Sequence, residues 1–199
     1  MIKKLAFNIL NYIIRNNAIS DEINEKEYYQ YGIEITISSL LNIILILSIG
    51  FITKNMIESI IFLPIFILLR HLTGGYHANS YFMCNLSFCI AFSLLITMYN
   101  LTWSFLTSYS CILISFVSIG IIAIYCPIEH INKPIKKEHR KYYKIMAMLL
   151  GTVYGIIGTV LTVFSNKYGA LVLYTLFLVA VLVIIAISKE MWDKNEQGK

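Results

Sequence analysis

A cysteine and a histidine lie in one short polar segment where they could carry out nucleophilic chemistry. Residues 70–84 read RHLTGGYHANSYFMC, with His77 seven positions before Cys84. A cysteine attacks as its thiolate, and a nearby imidazole can take the thiol proton and later return it to a leaving group. On an unbroken helix, seven residues would hold the side chains about 10 Å apart. The pair therefore predicts cysteine catalysis only if the chain bends between them.

The same segment contains residues that favour such a bend. Gly74 and Gly75 break a helix before His77, and either Asn79 or Ser80 can cap the helix that follows. Cys84 would then lie in the first turns of that helix, where the positive end of the helix dipole favours a thiolate. The segment is predicted to form a polar pocket at the edge of the membrane.

Two other interpretations of these residues stay open. A lone cysteine near a span end is often a small apolar filler, which is how Cys89, Cys111 and Cys126 are interpreted. His71, His77 and Cys84 could also supply three zinc ligands. The segment has no carboxylate and no recognised ligand spacing, so neither a metal nor another cofactor is predicted.

The composition defines the scaffold that must position this segment. The chain has 199 residues, of which 58% are hydrophobic and 14% charged, and the net charge is +5. Soluble proteins carry about a quarter charged residues. The mean hydropathy of +0.71 agrees with a membrane protein. A water-soluble enzyme, a disordered tail and a nucleic-acid-binding module are excluded, and no nucleic-acid partner is expected. The basic clusters suit anionic lipid instead.

Apolar runs long enough to cross a bilayer predict an all-α membrane protein with six spans. The first 32 residues are predicted to be interfacial, with an amphipathic helix over 2–15 and a second helix beginning at Ser20. Residues 33–188 form the membrane domain and residues 189–199 a tail. The predicted spans are 33–52, 56–69, 81–99, 106–125, 145–164 and 169–188.

The distribution of Lys and Arg predicts the orientation. With the amino terminus inside, 14 of the 16 basic residues lie in inner segments, and only Lys54 and Lys167 lie outside. This asymmetry favours both termini in the cytoplasm. The catalytic segment 70–84 and a basic loop, residues 126–144, then share the inner side of the cell membrane.

The motif residues resemble a known family, the accessory gene regulator protein B (AgrB) peptidases of Gram-positive bacteria. The resemblance rests on the run from Arg70 to Ala78, followed by Cys84. A second element agrees with it: Cys126-Pro127, then Lys133-Pro134-Ile135 and Lys141-Tyr142-Tyr143.

The resemblance implies a membrane-embedded cysteine endopeptidase that cuts the precursor of a quorum-sensing peptide. Cys84 matches the nucleophile and His77 the base, while Arg70 and Gly75 match positions needed for activity. His71 and Asn79 are supporting candidates, Asn79 as a possible third catalytic member. Arg70 would steady an oxyanion or bind a substrate carboxylate, or it is an ordinary snorkelling anchor.

The same resemblance implies a mechanism and partners. Cys84 would form a thioester with the precursor, and a precursor cysteine would displace it to close a thiolactone; in some relatives a serine closes a lactone. The precursor carries an amphipathic leader and an acidic tail. The tail would meet the basic loop at Lys133, Lys136, Lys137 and Arg140, and a homodimer is implied.

Two functions without catalysis compete with this interpretation. One is a transporter or exporter of a small peptide, and the other is a membrane partner for a sensor kinase. A transporter predicts ionisable groups within spans, but Glu34 and Glu58 lie near predicted span ends and the four later spans carry no charge. The sequence therefore favours the peptidase.

Overall fold

The computed structural model describes residues 2–15, 23–74, 80–128 and 137–197, and every regular element within those ranges is helical. The all-α prediction is confirmed for this part of the chain. A single 3₁₀ turn, Trp103–Phe105, follows the fourth helix. The helices are α1 Ile2–Arg15, α2 Ile23–Ile52, α3 Met56–Thr73, α4 Tyr81–Thr102, α5 Ser108–Tyr125, α6 Lys137–Val163 and α7 Lys167–Gln197.

Within the described residues, six helices are long and apolar enough to cross a membrane, as predicted. They cover Tyr28–Ile52, Met56–Thr73, Tyr81–Phe105, Ser108–Tyr125, His139–Val163 and Lys167–Lys189. The short second span is an 18-residue helix that continues through Pro64. It runs four residues beyond the predicted end at 69, so Arg70 and His71 belong to its last turn. Those two residues are therefore helical, although the sequence placed them in a connecting segment.

The amino-terminal region contains two helices, and its predicted division into an interfacial part and a first span at residue 33 stays a prediction. α2 runs from Ile23 to Ile52 without a break, so no helix boundary separates an interfacial part from the first span. α1 is a separate helix that buries Ala6 and Leu10 and leaves Lys4 and Asn8 exposed. Its apolar residues Leu5, Ile9 and Tyr12 are also exposed. Ser20, the predicted start of the second helix, lies outside the described residues.

Consecutive spans reverse direction, which gives the helix bundle two distinct ends. Short turns at residues 53–55, 103–107 and 164–166 lie at one end, together with Glu58 near the start of α3. The last turn of α3 and the first turn of α4 lie at the other. We name these the Glu58 end and the Cys84 end.

The centre of the bundle is α7, which packs against α3, α5 and α6. Its fully buried side chains repeat every three to four residues and include Leu176, Val179 and Val183. That spacing keeps one face of the helix turned to its neighbours along the whole span. The face therefore anchors α3, the helix that carries Arg70.

Candidate active site

The packing of α3 against α4 determines where Cys84 points. The rings of Phe62 and Phe92 lie 4.8 Å apart, as do those of Phe66 and Phe88. From the first aromatic pair to the second, the position increases by four on α3 and decreases by four on α4, as expected for antiparallel helices. One further step pairs Arg70 with Cys84. The guanidinium and the thiol do interact electrostatically, so the aromatic register extends to the candidate nucleophile.

Ser80 places Cys84 in the first turn of α4. Its hydroxyl oxygen accepts a hydrogen bond from the Met83 backbone N–H at 3.2 Å. The Cys84 backbone N–H donates to the Ser80 carbonyl at 3.0 Å. Ser80, one of the two predicted caps, therefore occupies the N-cap position, and Asn79 lies outside the described residues. The Cys84 thiol is half-buried.

Arg70 connects Cys84 to a second thiol that the sequence treated as structural. The guanidinium also interacts electrostatically with Cys126, which follows α5. Cys126 is buried, with 3% of its surface exposed. Burial raises the pKa of the Cys126 thiol to about 12, although the charges of Arg70 and Lys144 act in the opposite direction. Cys126 is thus a neutral thiol beside the guanidinium.

The chain after Cys126 is attached to the end of α3 by its backbone. The Ile128 N–H donates to the Thr73 carbonyl at 2.9 Å. Gly74, with φ +68°, ends α3, and its N–H donates to the Arg70 carbonyl at 3.1 Å. A Cβ at Gly74 would overlap the Ile128 carbonyl oxygen. This position therefore requires glycine both for its left-handed conformation and for the close approach.

α2 contributes polar groups on another side of Cys84. The Tyr81 hydroxyl donates to Glu34 Oε2 at 2.9 Å, and Gln30 Nε2 donates to Glu34 Oε1 at 3.0 Å. One turn further along both helices, Ser38 Oγ donates to Asn85 Oδ1 at 2.9 Å. We call the two contacts between α2 and α4, Tyr81–Glu34 and Ser38–Asn85, the polar ladder. It fixes the first two turns of α4 against α2.

The start of α6 lies close to the end of α3. The rings of His71 and Tyr143 meet edge to face, with centroids 6.3 Å apart. Arg140 is exposed in the first turns of α6. Lys137 begins that helix. Basic residues of the predicted tail-binding loop therefore lie on the helix that packs beside Arg70.

Several predicted site residues fall outside the described residues and stay predictions. They include the proposed base His77, so its distance from Cys84 is untested, as is the zinc alternative that also needs His77. The others are Gly75, Asn79, Lys133 and Lys136.

The sequence interpretation did not include Cys126, Glu34 or Tyr81 in the site. Glu34 and Tyr81 are 47 residues apart, so only the fold brings them together. One signal was available for the Arg70–Cys84 pair. Phe62, Phe66 and Arg70, and likewise Cys84, Phe88 and Phe92, recur every four residues, as on one face of a helix.

The Glu58 end has a polar cluster of a different kind. Lys167 Nζ forms an ion pair with Glu58 Oε1 at 2.9 Å, and 5% of Glu58 is exposed. A cavity of about 320 Å³ adjoins this pair, lined also by Lys54, Tyr99 and Trp103. This cluster lies at the opposite end of α3 and α4 from Cys84.

The fold and the site define a class: a multi-pass membrane protein with a cysteine beside an arginine at one end of its spans. The family model for accessory gene regulator B matches residues 6–187. The chain belongs to this family, which confirms the resemblance found in the sequence.

Two curated relatives come from Clostridium perfringens. An AgrB-like protein 2 of strain 13 / Type A is 32% identical over 132 residues. An AgrB-like protein of strain SM101 / Type A is 32% identical over 139 residues. Each alignment covers 62% of this chain and 62% of the relative, so the chain spans less than two thirds of the length of the relatives it matches. No solved structure matches this chain.

Proposed function

We propose that this protein is a membrane-embedded cysteine endopeptidase that removes the carboxyl-terminal tail of a quorum-sensing peptide precursor. The observation that carries the proposal is the position of Cys84, in the first turn of α4, where its thiol interacts electrostatically with the Arg70 guanidinium. Membership of the accessory gene regulator B family supports a role in that signalling system.

Two features of the described site favour nucleophilic attack by Cys84. A helix amino terminus stabilises negative charge, and so does a nearby guanidinium. The thiol is half-buried rather than sealed in the core, so a substrate can approach it. The buried Cys126 lacks this access, which makes Cys84 the nucleophile of the pair.

The reaction then follows in two acyl transfers. His77, the proposed base, takes the proton from the Cys84 thiol as sulfur attacks the scissile carbonyl carbon. The C–N bond breaks, the proton passes to the leaving amine of the tail, and a thioester remains on Cys84. A cysteine of the precursor next attacks the thioester, and its proton returns to the Cys84 sulfur as that bond breaks. The product is a thiolactone ring; a precursor serine would give a lactone.

Arg70 acts at the first of these steps. A guanidinium near the attacking sulfur can stabilise the oxyanion of the tetrahedral intermediate. Exclusion of water favours ring closure over hydrolysis of the thioester, and a site at the membrane edge limits water access. No cofactor takes part in this scheme.

Substrate capture uses two surfaces. The acidic tail of the precursor pairs with basic residues of the loop: Lys133, Lys136, Lys137 and Arg140. This loop and both termini of the protein lie on the inner side of the cell membrane. The amphipathic leader lies near the exposed apolar residues of α1. Reversing the charges of the basic loop should slow processing and weaken its salt dependence; unchanged kinetics would remove the loop from this account. The working unit is a homodimer.

Co-expression with the candidate precursor tests the proposal. Cys84→Ser and His77→Ala should each abolish tail release while the protein still inserts in the membrane. Cys111→Ser, a change at a buried cysteine within α5, should leave cleavage intact and serves as the control. The active protein should carry the precursor as a thioester, which hydroxylamine cleaves. The Cys84→Ser variant should carry no such adduct. Cleavage that survives both substitutions would rule out the pair.

A further inference from the structure

The Tyr81 hydroxyl lies beside the candidate nucleophile. Tyr81 and Cys84 are three residues apart on α4, and side chains at that spacing are neighbours on a helix surface. The hydroxyl interacts electrostatically with the thiol. Nothing in the proposed mechanism uses this group.

The hydrogen bond to Glu34 decides what Tyr81 can do. The hydroxyl proton is directed at Glu34 Oε2, 2.9 Å away, and a carboxylate can only accept. The phenolic oxygen therefore keeps its lone pairs for a donor from elsewhere. Glu34 is buried, with 6% exposed, and its other oxygen is held by Gln30. The acceptor orientation of Tyr81 is thus built into the site.

A substrate peptide bond offers a donor of this kind. Arg70 reaches the thiol from α3, whereas Tyr81 is held against α2. In a trans peptide the C=O and N–H point in opposite directions. A scissile bond whose carbonyl oxygen faces Arg70 therefore directs its N–H away from that guanidinium and needs a separate acceptor, which the Tyr81 oxygen can supply because it interacts with the same thiol.

We propose that Tyr81 accepts the N–H of the scissile peptide bond, and that Glu34 is the residue that positions it. This inference rests on the proposed function. It orients the substrate: carbonyl oxygen to Arg70, amide hydrogen to Tyr81. It also explains why a carboxylate is buried between α2 and α4, since an apolar side chain at position 34 could not orient the Tyr81 hydroxyl.

An amide and an ester substrate test the contact. The two substrates are the synthetic precursor and its analogue in which oxygen replaces the scissile N–H. Tyr81→Phe should lower kcat/KM for the amide about tenfold, the loss of one hydrogen bond, and leave the ester within about twofold. Glu34→Gln should show the same selective loss, because its amide can donate to the hydroxyl and reverse the bond. Rates in Cys84→Ala are subtracted as the uncatalysed background.

A matched control comes from the Glu58 end. The Tyr174 hydroxyl bonds to Thr102 Oγ1 at 2.6 Å, also between two helices. Tyr174→Phe should change neither rate, and Ser38→Ala, which removes the other contact of the polar ladder, should not discriminate between the substrates.

The outcomes separate this inference from the proposed function. Equal losses on amide and ester would show a merely structural tyrosine and overturn the inference, as would an unchanged amide rate. Both results leave Cys84-dependent cleavage standing. If neither substrate is cleaved in a Cys84-dependent way, the proposed function and this inference fail together.

Discussion

The two ends of α3 each carry a charged group, Glu58 and Arg70, but the groups around them differ. At the Glu58 end, the carboxylate meets the ammonium of Lys167 at 2.9 Å, and the two charges neutralise each other. At the Cys84 end, Arg70 interacts with two thiols, Cys84 and Cys126. A fixed ion pair locks two helices together, whereas a cation beside a thiol can make it reactive. The comparison separates an ion pair that joins α3 to α7 at the Glu58 end from a cation that interacts with two thiols at the Cys84 end.

Aromatic side chains pack between α3 and α4 in the region that separates the two ends. The rings of Phe62, Phe66, Phe88 and Phe92 form a continuous stack between α3 and α4. This stack sets the register between α3, which carries Glu58 and Arg70, and α4, which carries Cys84. Perturbations at either end therefore test the comparison directly.

The largest effect expected concerns the reactivity of Cys126. In a variant that keeps only this cysteine (Cys84→Ala, Cys89→Ala, Cys111→Ala), its pKa of about 12 leaves a thiolate fraction near neutral pH about a thousandfold below that of an ordinary thiol. Alkylation by a neutral reagent should therefore be slow at pH 8. It should rise about tenfold per pH unit up to about pH 11, because the thiolate is the reactive form. A rate that levels off near pH 9 would contradict the buried position, and unfolding in detergent gives the reference rate.

Arg70→Lys should lower kcat/KM for precursor cleavage about a hundredfold, as loss of an oxyanion-stabilising donor does. Lysine keeps the charge but not the planar guanidinium. A cleavage assay with quantified membrane insertion measures the effect. Lys54→Arg, a charge-conserving exchange at the Glu58 end, is the control and should have no effect. Full activity in Arg70→Lys would reduce this residue to a membrane anchor.

Gly74→Ala should reduce cleavage at least about tenfold, which corresponds to about 1.4 kcal/mol. The added methyl group meets the Ile128 carbonyl, and alanine disfavours φ +68°. Gly120→Ala is the control, since nothing lies within 4 Å of a Cβ there. If both variants retain full activity, the backbone contact between α3 and the segment after α5 is not needed for the reaction.

The smallest effect on activity is expected at the Glu58 end. Lys167→Met leaves a buried carboxylate without its ion pair, which should lower the free energy of unfolding by about 1–3 kcal/mol. Cleavage per folded molecule should stay within about twofold. Thermal unfolding in detergent and the cleavage assay measure the two quantities. Adding Glu58→Gln should restore part of the stability, because the uncompensated charge is then removed. Activity that falls with Lys167 would show that the two ends are coupled.

The sequence predicted the six spans because crossing a bilayer imposes a length and a composition that can be counted. It ended α3 at residue 69, since polar Arg70 and His71 resemble a loop in hydropathy. Backbone hydrogen bonding nevertheless continues the helix to Thr73. The predicted start of the first span at residue 33 was likewise set by hydropathy, whereas α2 begins at Ile23, before the apolar stretch.

The site was predicted only where its residues are close in sequence. Cys84 and Arg70 were singled out by one motif, and Ser80 by its capping chemistry. Cys126 is 56 positions from Arg70, and Glu34 is 47 from Tyr81. No local pattern reports such contacts, because helix packing alone creates them. The position of His77 relative to Cys84 stays a prediction.

The contact between Gly74 and Ile128 has a consequence for exchanging parts between relatives. A chimera that takes residues 126–144 from a relative also replaces the backbone around Ile128 that contacts the end of α3. Such a graft succeeds only when residue 74 is glycine and the incoming segment has the same length up to residue 128. The two pieces are best moved as a matched set.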